Sequence, residues 1–302
     1  MYANADSLTN KIEELKAYAH HYQADLILIT ESLAKHSASD VNDANNVNNI
    51  NSINNVYNID NFNCLECNVG RGVCLFYRNT LNVKTHDNIN KMYKPSLFIN
   101  VKTQNKPLNV GLVYRSPSND KEENKKMNYQ LNFASKKLNN LVIFGDFNHP
   151  SIDWEYTYCN KSEDHIDSQF LFEIIKMNTN QLITSTTHHK PNCKASLIDL
   201  ILTKTPELIS SITHNPPIGK SFHDCITAEL QISTSNKAKD DNNVQIIKPN
   251  FNKANFTEIN KYFNSIEWDE CLKDINVNEA WSFVKSNICK AQDMFVPNKI
   301  IK

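Results

Sequence analysis

Leu141-Val142-Ile143-Phe144-Gly145-Asp146-Phe147-Asn148 decides how this chain is read. The first four residues form an unbroken apolar run, the pattern of a strand buried on both faces. The next four read as a strand end and turn that carry an acid and an amide. Two residues apart on extended backbone, Asp146 and Asn148 are predicted to face the same side. A carboxylate placed there can orient a water or take its proton, and a carboxamide can hold an anionic oxygen. The same tetrapeptide also suits an ordinary turn, so its weight depends on what the rest of the chain brings to it.

Outward from this stretch the chain alternates strand and helix patterns. Leu8, Ile12, Leu15, Ala19 and Tyr22 recur at helical spacing and predict a helix over 8–22, with Ser7 as its N-cap. Residues 25–30 and 72–77 read as buried strands. Residues 96–103 and 108–114 read as a strand pair with a turn near Asn105-Lys106-Pro107. A polar helix is predicted over 122–138 and another over 167–178. Ser196–Leu202 and Cys225–Leu230 are strand-like. Residues 41–63 are about half Asn and read as a low-complexity insertion in a surface loop. The alternation predicts a layered α/β domain over 1–232, a polar linker over 233–250 and a helical extension over 251–302. In that extension Phe256, Ile259, Tyr262 and Phe263 share one helix face, and Ala280, Phe283, Val284 and Ile288 another.

The bulk properties narrow the class. At 302 residues and 40% hydrophobic content the chain has material for a sizeable core. A formal net charge of −1 argues against a globally basic nucleic-acid coat but leaves room for a local basic groove. No apolar run is long enough to span a bilayer. The N-terminus lacks the basic start and apolar stretch of a secretory signal, so a nuclear or cytoplasmic protein is expected, not a secreted one, with its eight Cys reduced. Cys64 and Cys67 have metal-like spacing, but no second such pair exists, and ordinary strand or loop cysteines are the expected reading.

Six polar sites lie at or near predicted strand ends: Asn4, Glu31, Tyr114, Asp146 with Asn148, Asp199, and His223. Polar groups gathered at one sheet edge are a common way to build a site. Glu31 offers oxygen to a hard cation such as Mg²⁺. His223 with Asp199 makes a His–carboxylate pair, in which the acid fixes the imidazole's tautomer and favours its charged form. Tyr114 and Asn148 are neutral donors suited to phosphate oxygens. Singly, each has an ordinary reading as cap, core or surface residue. Together they suit the cleavage of a phosphodiester.

The chain resembles the endonuclease/exonuclease/phosphatase superfamily, the fold of pancreatic deoxyribonuclease and of abasic-site endonucleases. More narrowly it looks like the endonuclease of non-LTR retrotransposons. The segments that carry the resemblance fall in the family's order: Asn4–Lys11, Ile29-Thr30-Glu31-Ser32, Val113–Pro117, Gly145–Trp154, Ser196–Asp199 and Gly219–His223. The resemblance implies a deoxyribonuclease-like β-sandwich flanked by helices. It implies Mg²⁺, with Mn²⁺ as substitute, at Asn4 and Glu31. Asp146 would activate or orient the nucleophilic water, or protonate the leaving group. Asn148 and Tyr114 would hold the phosphate, and His223, paired with Asp199, would stabilise its charge. The implied reaction is a nick in DNA whose 3′ hydroxyl primes reverse transcription, and the tail after 250 resembles the connector before a reverse transcriptase. Lys11, Arg115, Lys190, Lys194 and Lys220 are candidate phosphate contacts, and Thr186–Lys190 is a candidate groove-facing loop.

One departure bears on activity. The family usually reads Ser-Asp-His where this chain has Ser221-Phe222-His223, and the missing Asp is normally a carboxylate of the metal site. Phe222 cannot bind a cation. Asp224 points to the same side of an extended chain but lies roughly 6.6 Å further along. The short lead before Asn4, and a length that leaves no room for a reverse transcriptase domain, fit a truncated retroelement copy. A catalytically impaired remnant that only binds nucleic acid or protein is therefore an alternative to the endonuclease. A phosphatase or lipid phosphodiesterase of the same fold is another.

Overall fold

The computed structural model describes residues 1–34, 57–103, 106–231, 246–273 and 275–301, which divide into two compact units, 1–235 and 236–302. The first opens with β1 (Tyr2–Asn4), α1 (Ile12–His21) and β2 (Leu26–Thr30). Next come β3 (Phe62–Cys67), β4 (Val73–Arg78), β5 (Val83–Thr85), α2 (Asp87–Asn90), β6 (Ser96–Val101) and β7 (Leu108–Tyr114). It continues with α3 (Lys121–Lys137), β8 (Leu141–Asp146), β9 (Ile152–Asp153), β10 (Tyr158–Cys159) and α4 (Ile166–Lys176). It closes with β11 (Asn180–Gln181), β12 (Asp199–Thr203), β13 (Ile209–Asn215) and β14 (Cys225–Leu230).

Two six-stranded sheets form, in the orders β13-β14-β1-β2-β4-β3 and β11-β12-β8-β7-β6-β5. Side-chain alternation along β8 shows how they stack. Val142 and Phe144 enter a core shared by the inner faces of both sheets, with Tyr2, Leu28, Leu75, Leu112 and Ile201. Leu141 and Ile143 point the other way, into a core with Met127 and Leu131 of α3 and Phe170 and Ile174 of α4. A third core lies under α1, where Leu15 and Ala19 cover Ile27, Ile29 and Phe76. The result is a helix–sheet–sheet–helix sandwich, the layered α/β domain expected from the pattern in the form that the resemblance implies. A strand buried on both faces has no polar positions to give up, which is why 141–144 reads as a continuous apolar run. Each large apolar side chain so buried contributes about 1.5–3 kcal/mol.

Gly145 belongs to β8, not to the turn after it, where it pairs with Val113 of β7; a Cβ there would lie 2.2 Å from the Val113 carbonyl oxygen, so this strand position needs glycine. Other expectations shift as well. Ser7 does not cap α1; Lys11 occupies that position without a side-chain cap, and Ser7 Oγ donates to Thr9 Oγ1 instead. Of the expected Asn-rich loop, 41–56 lies outside the described residues. Its last part belongs to the folded unit: Ile59 is buried and Phe62 opens β3. The expected turn at 105–107 is described only from Lys106 onward. On β3, Cys64 faces the α1 side and Cys67 the inter-sheet core. An odd spacing on a strand sends side chains to opposite faces, so the two cannot share an ion.

In the second unit β15 (Ile246–Pro249) pairs antiparallel with β16 (Asn298–Ile301). Between them come α5 (Phe256–Asn264), α6 (Trp268–Cys271) and α7 (Val277–Phe295). Tyr262 of α5 donates to Asn287 Oδ1 of α7 at 2.8 Å and its ring meets Phe295, while Trp268 packs edge-on against Phe283. Ile288 stays 48% exposed, so the apolar face predicted for α7 is only partly covered. Residues 246–249 of the expected linker are thus strand, and 233–245 lies outside the described residues.

Candidate active site

The parallel pairs β1·β2 and β7·β8 run their C-terminal ends to one edge of the sandwich. In the second sheet the register aligns Tyr114 with Asp146 and Asp146 with Asp199. Neighbours in register share a face, so these three side chains continue the row of Leu112, Phe144 and Ile201. They stand where the apolar inter-sheet core opens. Asn4 extends the inner face of β1 beyond Tyr2 in the same way, and its Nδ2 donates to Asp146 Oδ2 at 2.8 Å across the sheets. The six polar positions read from the sequence therefore do converge on one edge.

Asp199 is the most tightly held of them. It is fully buried and accepts hydrogen bonds from Tyr2 OH at 2.6 Å, Thr187 Oγ1 at 2.7 Å and His223 Nδ1 at 2.8 Å. Burial alone would raise its pKa, but the His223 charge and these donors hold it below the usual carboxylate range. For His223, burial works against the charged form, yet the Asp199 carboxylate outweighs it and lifts the pKa to about 9. At neutral pH the ring is an imidazolium with Nδ1 committed to Asp199 and Nε2 on the other side. Asp146 is pushed up to about 8 by burial first and by the Asp199 charge second, so its carboxyl can hold or give a proton near neutrality. Asp146, Asp199 and His223 bring one ligand atom each within 4.8 Å of one another.

The other half of the edge is built differently. Glu31 sits just past β2 with φ +51°, a left-handed conformation that non-glycine residues rarely adopt. Tyr114 OH donates to Glu31 Oε1 at 2.9 Å, and Arg71 Nη2 donates to Glu31 Oε2 at 2.6 Å. Burial and the neighbouring Glu31 charge raise the Tyr114 phenol well above its usual value, so it serves as a neutral donor. Asn148 adopts φ +50°; its Nδ2 donates to the Arg115 carbonyl at 2.7 Å and its backbone N–H to Asp146 Oδ1 at 3.1 Å. β8 ends at Asp146 and the turn bends the chain, so Asn148 is not on the extended backbone the sequence predicts; its backbone N–H braces Asp146, while its side-chain amide is tied to the Arg115 carbonyl in the loop after β7.

Oxygen donors from Asn4, Glu31 and Asp146 suit a hard divalent cation in kind. Two features count against a ready site. Both Glu31 oxygens are engaged, and the expected carboxylate at 222 is a phenylalanine whose ring is 41% exposed and lies edge-on to His188. Asp224 does not replace it: its carboxylate faces His214 Nδ1 at 2.7 Å and His189 Nε2 at 3.3 Å.

Four residues of the site escape a local reading of the sequence. Tyr2 and Thr187 brace Asp199, Ser221 Oγ donates to the Asn4 carbonyl at 2.7 Å, and Arg71 holds Glu31. Tyr2 stands two residues before Asn4 on a strand, so period-2 spacing is the signal that could have found it. Thr187 lies in a segment expected to face a groove, but it is fully buried. Arg115, expected on phosphate, is 1% exposed and donates to Asn124 Oδ1 and the Asn148 carbonyl, so it is an internal brace. Lys11 curls back to donate from Nζ to the Ala5 carbonyl, whereas Lys190, Lys194 and Lys220 are exposed.

The chain resembles known proteins in sequence over part of its length and in fold. Residues 108–227 match the family model described as endonuclease-reverse transcriptase, a range that includes Tyr114, Asp146, Asn148, Asp199 and His223. Among solved structures, the endonuclease domain of TRAS1, a telomere-specific non-LTR retrotransposon, is similar at TM-score 0.58 and 13% identity. That match covers 77% of this chain and 97% of that one. The AP endonuclease LMAP from Leishmania major is similar at TM-score 0.53 and 10% identity, covering 75% and 85% of the two chains. A 3′-5′ exonuclease from Neisseria meningitidis is similar at TM-score 0.52 and 14% identity, covering 76% and 98%. A search of curated protein sequences found no match.

Proposed function

We propose, for a chain with the fold of the endonuclease/exonuclease/phosphatase superfamily, that it is a divalent-metal-dependent phosphodiesterase that nicks DNA. The observation that carries the reading is the in-register row Tyr114–Asp146–Asp199 at the open end of the sandwich, with His223 paired to Asp199. Charge on the His223 imidazolium favours a phosphoryl oxygen at its Nε2 side and opposes the charge that builds up during attack. Tyr114 is a neutral hydroxyl in the same row, its one proton given to Glu31 Oε1 and available to a phosphoryl oxygen only when that bond is exchanged. Asp146, braced by Asn4 and the Asn148 N–H, orients the attacking water or moves a proton at the leaving oxygen. Asn4 and Glu31 would hold Mg²⁺ or Mn²⁺, which supplies Lewis-acid polarisation of the phosphoryl group.

DNA as substrate is supported by the nuclease relatives and by a cleft of about 1080 Å³ lined by Trp154, Tyr158, Lys161, Lys194 and Leu197; no candidate site residue lines it, but Pro150 and Leu197 in its wall are two residues from Asn148 and Asp199. Aromatic and Lys side chains lining one cleft suit a nucleic-acid strand. The link to reverse transcription rests on the description of the matched family model, with residues 1–232 as the catalytic unit and 251–302 as connector. A second reading, an impaired copy that binds DNA without cutting it, is favoured by Phe222 and by the engaged Glu31 carboxylate.

Nicking of supercoiled plasmid in Mg²⁺ or Mn²⁺ separates them, run on the protein, His223→Ala and Phe222→Asp. Nicking by the protein and not by His223→Ala is the expected result. Nicking by Phe222→Asp alone establishes the impaired reading. If no folded variant nicks, the endonuclease reading is overturned.

A further inference from the structure

Arg71 sits on a turn with no obvious chemistry, between Gly70 and Gly72, both at positive φ. The turn is docked onto the segment after β2: Leu33 N–H donates to the Arg71 carbonyl at 2.9 Å and Ser32 N–H to the Gly72 carbonyl at 3.3 Å. A Cβ at residue 72 would lie 2.6 Å from Ser32 Oγ and 2.8 Å from Leu33 Cγ, so glycine is what permits this close approach. The docking delivers the Arg71 side chain, 13% exposed, to Glu31 at the edge of the candidate site.

How the guanidinium is used matters. A guanidinium gains most from a carboxylate when two of its nitrogens engage the two oxygens in parallel. Here Nη2 alone serves both partners, Asp6 Oδ1 at 2.6 Å and Glu31 Oε2 at 2.6 Å. Nε and Nη1 are buried without a hydrogen-bond partner among the described residues. Two stranded donors make this a costly way to hold an arginine. The arrangement neutralises Glu31, yet it is weaker than the geometry of an arginine allows.

We infer that Arg71 is a built-in competitor for the Glu31 carboxylate: it occupies Glu31 in the resting protein and must release it before that carboxylate can ligate a divalent cation. This rests on the reading of Glu31 as a metal ligand. Asp6 gives the released guanidinium a second anchor, so the exchange needs a swing of one side chain and no refolding of the turn. The consequence is a metal affinity set by Arg71 as well as by the ligands themselves.

The test is direct binding of Mn²⁺ to the full chain without DNA, followed by electron paramagnetic resonance of the free ion. Protein, Arg71→Gln, Glu31→Gln and the Arg71→Gln/Glu31→Gln pair are compared at one pH. The expected result is Mn²⁺ binding at least about tenfold tighter in Arg71→Gln, with the gain abolished by adding Glu31→Gln. An unchanged or weakened affinity in folded Arg71→Gln overturns the inference, as does a gain that survives Glu31→Gln. If Arg71→Gln does not fold, the unaltered protein is titrated with Mg²⁺ while the Arg71 Nε–H resonance is followed. Faster exchange of that proton with solvent on Mg²⁺ binding supports release, and an unmoved resonance overturns it. Plasmid nicking reports on the function separately. Tighter Mn²⁺ binding without nicking keeps the competitor and fails the endonuclease; nicking with unchanged affinity does the reverse.

Discussion

The two halves of the candidate site share one edge of the sandwich but differ in construction. The histidine half, Asp199 with His223, is buried, and its acceptors are met by Tyr2, Thr187 and the imidazole. The glutamate half sits on a left-handed residue at Glu31 and draws its counter-charge from Arg71 on a distant turn. Satisfied buried networks fix geometry, because any departure strands a polar group in low dielectric. A half held by one shared arginine nitrogen has more freedom to rearrange. On the proposed reading, the arrangement around His223 is pre-formed, whereas a cation at Glu31 would first have to displace Arg71.

The largest expected break comes from Asp199→Ala. It removes the carboxylate that holds the charge on His223, leaving the buried ring without its partner, and strands Tyr2 and Thr187. Stability is expected to fall by about 3–5 kcal/mol in urea denaturation, and nicking by a factor on the order of 10³. If the loss of stability is small, the histidine half is not the rigid one.

Acid sensitivity offers a control away from both halves. Burial holds His149 down at about 4, despite its 2.9 Å contact with Asp167, and contact with His149 holds Asp167 at about 2 against the opposing effect of burial. A depressed histidine pKa means that the unfolded chain binds the proton first as pH falls. Stability from His149 is therefore complete above about 6.5 and lost as pH falls to about 4; that from Asp167 is lost between about 4 and 2. The two together are expected to lower the urea midpoint steadily below pH 6.5, and His149→Gln should flatten the upper part of that fall. Retention of the full slope in His149→Gln would exclude His149 as its source; Asp146 and His223, whose pKa values are raised, contribute stability of the opposite sign as pH falls.

Tyr2→Phe removes one donor from Asp199 and leaves the ring packed against Phe144. A cost of about 1–2 kcal/mol in stability is expected, with a roughly tenfold loss of nicking and a shifted pH–rate profile, since Asp199 holds the His223 charge. The smallest effect is expected from Glu31→Gln, whose amide oxygen still accepts while Asp6 keeps Arg71 paired. Its stability should change by no more than about 1 kcal/mol. A larger loss than that of Tyr2→Phe would invert the comparison between the halves.

The residue patterns alone carried a layered α/β domain, the resemblance added the sandwich, and the sequence named most residues of the candidate site. Runs such as 141–144 and 108–114 report their burial by period and apolarity. Asn4, Glu31, Tyr114, Asp146, Asp199 and His223 announce themselves as polar residues at strand ends, which is local information. What each side chain is bonded to was not local. Tyr2 and Asp199 are 197 residues apart, and Glu31 and Arg71 are 40 apart. Such pairs exist only once the two sheets stack and the Gly70–Gly72 turn docks. The same holds for the burial of Arg115, the opposite facing of Cys64 and Cys67, and the turning of Asp224 towards His214 and His189. A residue's type and spacing fix what it can donate or accept, but which partner it meets is decided by register and packing between distant strands.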